Sequence, residues 1–260
     1  MNVQRLPGEL AIVTGADSGI GRAIAIAFAR EGADVAVTYR SDREGAEATA
    51  QEIESAGRKA GVFQLDQREP DEVRSLFRQV RNNMGLPTIL VNNAGMNGID
   101  KRVRDMSDEE WDDVIRTNLH GPFYCCREFL RGIEGSGRHG TIINITSVHQ
   151  EIPRAGAAGY DASKGGLRNL TTTLALEVAN RNINVNNIAP GMIMTPMNQK
   201  AIDDPQQRQR QEQAIPMKRA GQPEEIAHAA VFLASGQARY IQGTTIVIDG
   251  ALMLFQGQCA

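Results

Sequence analysis

Short apolar runs recur along the chain, each bounded by glycine or by polar residues. Leu10-Ala-Ile-Val13, Ile89-Leu90-Val91 and Ile142-Ile143 are among them. They predict strands near 10–14, 35–39, 61–65, 88–92, 140–146, 183–188 and 244–248. The runs are continuous rather than alternating, as in strands buried on both faces of a parallel sheet. Helical periodicity fills the intervals. It is clear from Ile20 to Ala29, closed by Gly32, and from Asp161 to Asn180. Ser107 followed by Glu110 reads as a capping box that opens a long helix. Strand and helix alternate throughout, which predicts an α/β, doubly wound parallel sheet with helices on both faces.

The turn after the first strand reads Thr14-Gly15-Ala-Asp17-Ser18-Gly19-Ile20-Gly21. Glycines there let a backbone approach a pyrophosphate, while the helix behind supplies N–H donors and the positive end of its dipole. The bland alternative is a glycine-rich surface turn. Its place between a first strand and a first helix favours a dinucleotide site and a Rossmann-type fold of about seven strands. Residues 1–260 read as a single domain.

Tyr160-Asp-Ala-Ser-Lys164 lies thirteen residues after Ser147. Four apart, the Tyr and Lys share one helix face. A phenol with pKa ~10 is a poor acid or base at neutral pH, and a nearby ammonium pulls it down. The expectation is that Lys164 lowers the pKa of Tyr160 and that Ser147 hydrogen-bonds the oxygen of an alcohol or carbonyl. An exposed pair on a helix flank is the alternative.

Thr14-Gly-x-x-x-Gly-x-Gly21, Asn92-Asn93-Ala94-Gly95, Asn118, Ser147, Tyr160-x-x-x-Lys164 and Pro190-Gly191 occur in that order. Together they resemble the short-chain dehydrogenase/reductase family, over about residues 8 to 250. The resemblance implies an alcohol–carbonyl oxidoreductase using a nicotinamide dinucleotide, with Asn118, Ser147, Tyr160 and Lys164 catalytic. Asn118 would hold a helix kink and a water linked to Lys164. Cofactor contacts would come from Gly15, Asp17, Ser18, Gly19, Ile20 and Gly21, and from Tyr39, Arg40 and Ser41 after the second strand. Asp66 would bind the adenine amino group, with Gln67, Asn93, Ala94 and Gly95 beside it. Tyr160 and Lys164 would also touch the cofactor, as would Pro190, Gly191, Ile193 and Thr195. Residues 191–219 would form a substrate lid, or else a surface helical hairpin.

An acid at the end of the second strand selects a ribose 2′-hydroxyl, while an arginine accepts a 2′-phosphate. Tyr39-Arg40-Ser41 stand there, so NADP(H) is favoured and NAD(H) tolerated. Asp17 and Asp42 pull mildly the other way, and Arg40 as a solvated loop charge is the alternative.

Within the family, local likeness runs to bacterial glucose 1-dehydrogenases, in Ser147-Val148-His149 and Pro223-Glu224-Glu225 among other stretches. It implies that His149 contacts a sugar, alongside Asn97, Ser147 and Tyr160. It also implies that the tail from Gly250 to Ala260 reaches toward a partner's site. Three departures weigh against glucose. Asn97 replaces an acid, small residues fill 155–159, and Met192, Met194 and Met197 suit apolar shapes. Arg154 could meet an anionic substrate or face water. The candidate substrates are a sugar, another alcohol, or a ketone such as a 3-oxoacyl compound. An idle dinucleotide sensor is the non-enzymatic alternative, disfavoured by the complete Ser–Tyr–Lys set.

The 260 residues are 41 % hydrophobic, enough for one full core, and carry a net charge of −3. That balance gives no footprint for nucleic acid. Three cysteines and four histidines form no redox or metal-ligand spacing, so no catalytic metal is expected. No apolar run approaches a membrane span. The expectation is a cytoplasmic enzyme, assembled as a homotetramer through the helix at 224–234 and the final strand as in relatives.

Overall fold

The structure, a computed structural model, describes residues 4–255. Cys259 and the end of the tail expected to reach a partner's site lie outside that range. The strands are β1 (Leu10–Val13), β2 (Asp34–Tyr39), β3 (Ala60–Gln64), β4 (Ile89–Asn92), β5 (Gly140–Ile145), β6 (Ile183–Pro190) and β7 (Thr245–Ile248). The helices are α1 (Gly19–Arg30), α2 (Arg43–Ser55), α3 (Pro70–Asn83), α4 (Asp108–Ile115), α5 (Gly121–Ile133) and α6 (Ala158–Val178). They continue with α7 (Gln199–Asp203), α8 (Pro205–Gln213), α9 (Pro223–Ala234) and α10 (Leu252–Phe255).

All seven strands are parallel, in the order β3-β2-β1-β4-β5-β6-β7. Each predicted strand is present within two residues at either end. Val13 pairs with Val37 on one side and Val91 on the other. The winding reverses beside β1, and a crevice opens there beyond the carboxyl ends of β1 and β4.

Successive side chains of a strand point to opposite faces, so each strand feeds two cores. Val13, Val35 and Val37 pack with Ile24 and Phe28 of α1 and with Ile226 and Val231 of α9. Ile12, Leu90 and Ile142 pack with Val73 of α3, Phe129 of α5 and Leu174 of α6. Phe28 is fully buried, and its truncation to alanine would cost about 3–5 kcal/mol.

The capping box forms as predicted. Ser107 Oγ accepts from Glu110 N, and Glu110 Oε2 accepts from Ser107 N. The long helix it opens is interrupted by a wide π-type turn at Arg116–His120 between α4 and α5. Residue 118 falls at that interruption, where the kink was expected.

Candidate active site

The glycine turn is built around Thr14. Its buried hydroxyl accepts from the amides of Asn93 and Ala94, both at 3.0 Å. Asn93 returns the link, its Nδ2 donating to the carbonyls of Thr14 and Gly15 at 2.9 Å. The loop after β1 is thus stitched to the loop after β4. Gly15 and Gly19 take left-handed φ values of +60° and +55°, which favour glycine. A Cβ on Gly21 would collide with the Gly15 carbonyl and the Asn93 amide.

The first turn of α1 contains no acid, so its open amides and positive dipole end are not neutralised from within. This cradle fits the pyrophosphate of a dinucleotide. Ser18, its N-cap, donates from Oγ to Asp17 rather than capping the helix. Burial pushes the Asp17 carboxyl above its usual range, and the neighbouring Asp42 adds to this.

At the end of β2, Tyr39 is buried while Arg40 and Ser41 are exposed. Among the described residues no ion pair engages the Arg40 guanidinium. Asp66 is clamped by Arg68, whose Nε and Nη2 reach its two carboxylate oxygens at 2.6–3.0 Å. Hydrogen bonding from Arg68 holds the Asp66 carboxyl below its usual range. Gln67 is buried, and its Nε2 donates to the carbonyls of Ala94 and Thr117.

α6 begins at Ala158, three residues earlier than expected, so Tyr160 lies in its first turn and Lys164 one turn on. Ser147 follows β5. Its hydroxyl accepts from His149 N at 3.2 Å. Lys164 is buried, and its Nζ donates to the Ile145 carbonyl at 2.9 Å. Desolvation pulls the ammonium down to about 8. The expectation that Lys164 depresses the Tyr160 pKa is not met in the free protein. Burial pushes the phenol up, with Ser147 and Arg154 offsetting only part of the rise. One donor of the ammonium is held by Ile145, and Nζ lies 5.6 Å from the ring centre.

Asn118 is fully buried. Its Oδ1 accepts from Met96 N, and its Nδ2 donates to Met96 O and Ser163 Oγ. It ties the loop after β4 to α6 and makes no hydrogen bond to Lys164. A Cβ on Gly95, between them, would lie 3.2 Å from Asn118 Oδ1 and 3.6 Å from Lys164 Nζ.

One cavity of about 1300 Å³ joins these parts. A drug-sized ligand takes roughly 300–1,000 Å³, so the volume suits a dinucleotide with a substrate. Every site residue expected from sequence lines it except Gly21 and Asn118, which support it from behind. Pro190, Gly191, Ile193 and Thr195 form its wall after β6. Gly191 is pressed against Asp249, 2.8 Å from where its Cβ would stand.

The segment 191–219 is largely helical, with α7 and α8 at its centre. Its two ends are pinned together by Met194 N to Gly221 O and Gly221 N to Met192 O. Met192 and Met197 line the cavity, but Met194 lines a separate hollow with Ala27 of α1 and Val231 of α9. Asn97 lines the cavity with its donor committed, Nδ2 to Met197 O at 3.3 Å. His149 Nδ1 lies 2.9 Å from the Ile152 carbonyl. That contact needs a proton on Nδ1, so the neutral ring keeps Nε2 as an acceptor. The room left by the small residues at 155–159 is taken by the 98–101 loop, where Lys101 N donates to Gly156 O.

Sequence reasoning missed the Arg68 clamp, and it missed Asp161, which accepts from Arg154 N at 2.8 Å. It also missed Leu252 on the cavity wall. Asp161 directly follows Tyr160, and that adjacency was the available signal.

A family model described as enoyl-(acyl carrier protein) reductase matches residues 15–252. The chain belongs to the short-chain dehydrogenase/reductase family. It is similar to 3beta-hydroxysteroid dehydrogenase 1 of Eggerthella lenta, at 44 % identity over 97 % of this chain and 96 % of that one. Glucose 1-dehydrogenase 2 of Bacillus subtilis is 40 % identical over 97 % of this chain and 98 % of its own. A solved Agrobacterium tumefaciens protein, described as a candidate 2-deoxy-D-gluconate 3-dehydrogenase with bound NADP, superposes with a TM-score of 0.89. It is 34 % identical, over 98 % of this chain and 100 % of that one.

As a member of this family the chain is an oxidoreductase that interconverts an alcohol and a carbonyl by hydride transfer with NAD(P). Among the described residues no helix is long and apolar enough to cross a membrane.

Proposed function

We propose that this enzyme reduces a carbonyl, and in reverse oxidises an alcohol, with Tyr160 as general acid and base and NADP(H) as the favoured coenzyme. The carrying observation is the convergence of Ser147, Tyr160 and Lys164 on one cavity whose other end is the glycine turn. When bound, the nicotinamide supplies or accepts the hydride. The Tyr160 hydroxyl gives its proton to the substrate oxygen, and Ser147 holds that oxygen with a hydrogen bond. The Lys164 ammonium faces the phenolate that remains. Asn118 acts as a positioning residue, fixing the Met96 loop against α6. Burial keeps the Tyr160 phenol protonated at neutral pH, the form that carbonyl reduction needs.

Arg40 and Ser41 are exposed on the cavity wall. A free guanidinium there suits a 2′-phosphate. The nearby Asp17 leaves room for NAD(H) as a weaker alternative. Asp66 receives the adenine, and Gln67, through its two carbonyl bonds, braces the wall beside it.

Residues 191–219 act as the substrate lid, latched by Asn97. The unit spans the whole chain as one domain. The exposed Val247 of the edge strand and the fully exposed Tyr240 support a homotetramer. Cys125 and Cys126, both free, buried and raised in pKa, suit a reducing cytoplasm.

The test follows nicotinamide reduction with D-glucose and NADP⁺ or NAD⁺, and NADPH oxidation with a panel of ketones. Turnover of a ketone or alcohol with NADPH or NADP⁺ preferred supports the reading. No turnover of any alcohol or carbonyl with either coenzyme contradicts it.

A further inference from the structure

We propose that the substrate carries an anionic group on an otherwise apolar frame, and that Arg154 binds that group. The inference rests on the alcohol–carbonyl reading and deepens it by naming the class: an amphipathic carboxylate or similar monoanion, in place of a neutral polyol.

Arg154 lines the cavity together with Tyr160. Its backbone is fixed, because Arg154 N donates to Asp161 Oδ2 at 2.8 Å. Its side chain is free and 52 % exposed. Among the described residues the guanidinium makes no hydrogen bond, so its planar fork is open to a carboxylate. Arg68 is committed to Asp66 and Asp113 and Arg219 to Glu225, while Arg40, the other free arginine on the cavity wall, stands at the dinucleotide end after β2.

Besides Asp161, which its backbone amide holds, one acid stands near the Arg154 guanidinium. Asp100 Oδ2 stands 3.7 Å from its Nη1, and the Asp100 side chain is 74 % exposed. That distance is too long for a hydrogen bond. Exposed pairs of this kind contribute little, so a substrate anion can displace Asp100. The charge of Arg154 also reaches the Tyr160 phenol and favours its ionised form. Arg154 and Tyr160 line the same cavity, and the Arg154 backbone is tied to the residue that follows Tyr160, which places the anionic group at the reacting end.

Apolar side chains contribute much of the remaining wall at this end of the cavity, with Gln207 and Gln211 of α8 at the lid side. Met96, Ile99, Met192, Met197, Ile215 and Leu252 line it. Three amides there each commit one N–H within the protein, Asn97 to Met197 O, Asn198 to Ile193 O and Gln199 to Asp203. Lys164 adds a buried cation, while the one acid beside Tyr160 in sequence, Asp161, is engaged by Arg154 N through Oδ2.

The test compares 4-acetylbenzoate with 4-acetylbenzamide, the same aryl ketone with and without charge. The Kd of each is measured calorimetrically on the full chain loaded with NADP⁺, where no turnover interferes. The carboxylate is expected to bind roughly tenfold tighter than the amide, the size of one charge-assisted hydrogen bond. Arg154→Gln should remove the difference and leave the amide and NADP⁺ affinities unchanged, Arg154→Lys should keep part of it, and Asp100→Asn should tighten the carboxylate a few-fold. Equal affinities, no binding of either probe, or a carboxylate preference that survives Arg154→Gln overturns the proposal. Failure of the underlying reading has a different signature: no alcohol or carbonyl, charged or neutral, changes the redox state of either coenzyme.

Discussion

The Lys164 ammonium donates to the Ile145 carbonyl at 2.9 Å and lies 5.6 Å from the centre of the Tyr160 ring. A charge with one fixed bond and no carboxylate partner is expensive to bury, and desolvation brings its pKa from 10.5 to about 8. The folded chain therefore carries a standing cost for this residue. A base depressed on folding destabilises the native state fully below its folded pKa. The cost is lost as pH rises from about 8 through the unfolded value near 10.5.

Lys164→Met should thus inactivate the enzyme and stabilise it at pH 7. The drop from 10.5 to about 8 corresponds to roughly 3 kcal/mol, of which about 1 kcal/mol is returned by leaving Ile145 O without its donor. The net gain is a rise in Tm of roughly 4–8 °C, shrinking toward zero near pH 10. Thermal unfolding of both proteins across pH 6–10 checks it. A Tm that falls at pH 7 would show that the buried lysine is well paired.

Gly21→Ala tests the cradle. The added methyl overlaps the Gly15 carbonyl and the Asn93 amide, both parts of the stitch between the β1 and β4 loops. Destabilisation of about 1–3 kcal/mol should accompany a loss of dinucleotide affinity, read by quenching of NADPH fluorescence. Unchanged affinity would mean that the dinucleotide binds elsewhere.

Coenzyme choice rests on opposing charges. Arg40→Leu should reduce kcat/KM for NADPH roughly tenfold with little effect on NADH. Asp17→Asn should raise NADPH affinity a few-fold, since it removes a half-buried carboxylate from the phosphate end. Steady-state kinetics with both coenzymes decide it, and an Arg40→Leu enzyme that keeps its preference would assign the choice to another group.

The sheet was largely legible in the sequence because its strands are buried on both faces. Leu10–Val13 and Ile89–Asn92 read as apolar runs without any tertiary knowledge. The Ser147, Tyr160 and Lys164 set was legible from order and spacing along the chain. Contacts between remote segments were not. Asn97 meets Met197 across a hundred positions, and the two carbonyls held by Gln67 lie on different loops. The direction of the Tyr160 shift was misjudged for the same reason. Spacing places the ammonium on the right face but cannot tell that Ile145 occupies it or how deeply the phenol is buried. The split of the lid methionines, with Met194 turned toward α1 and α9, likewise depends on the short bridge between Ile193 and Gly221.

The central claim is that Tyr160 delivers the proton. The most direct measurement is the single-turnover rate of NADPH oxidation with a ketone substrate, for the native chain and for Tyr160→Phe, from pH 6 to as far above pH 10 as the fold survives. Because burial raises the phenol above its ordinary value of about 10, the native rate should show no phenol-linked fall below pH 10 and should fall only above it. The variant should lose roughly 10²–10⁴-fold and show no such fall, while its NADPH affinity stays within about twofold. A Tyr160→Phe enzyme that keeps most of its rate and the native pH profile would contradict the account.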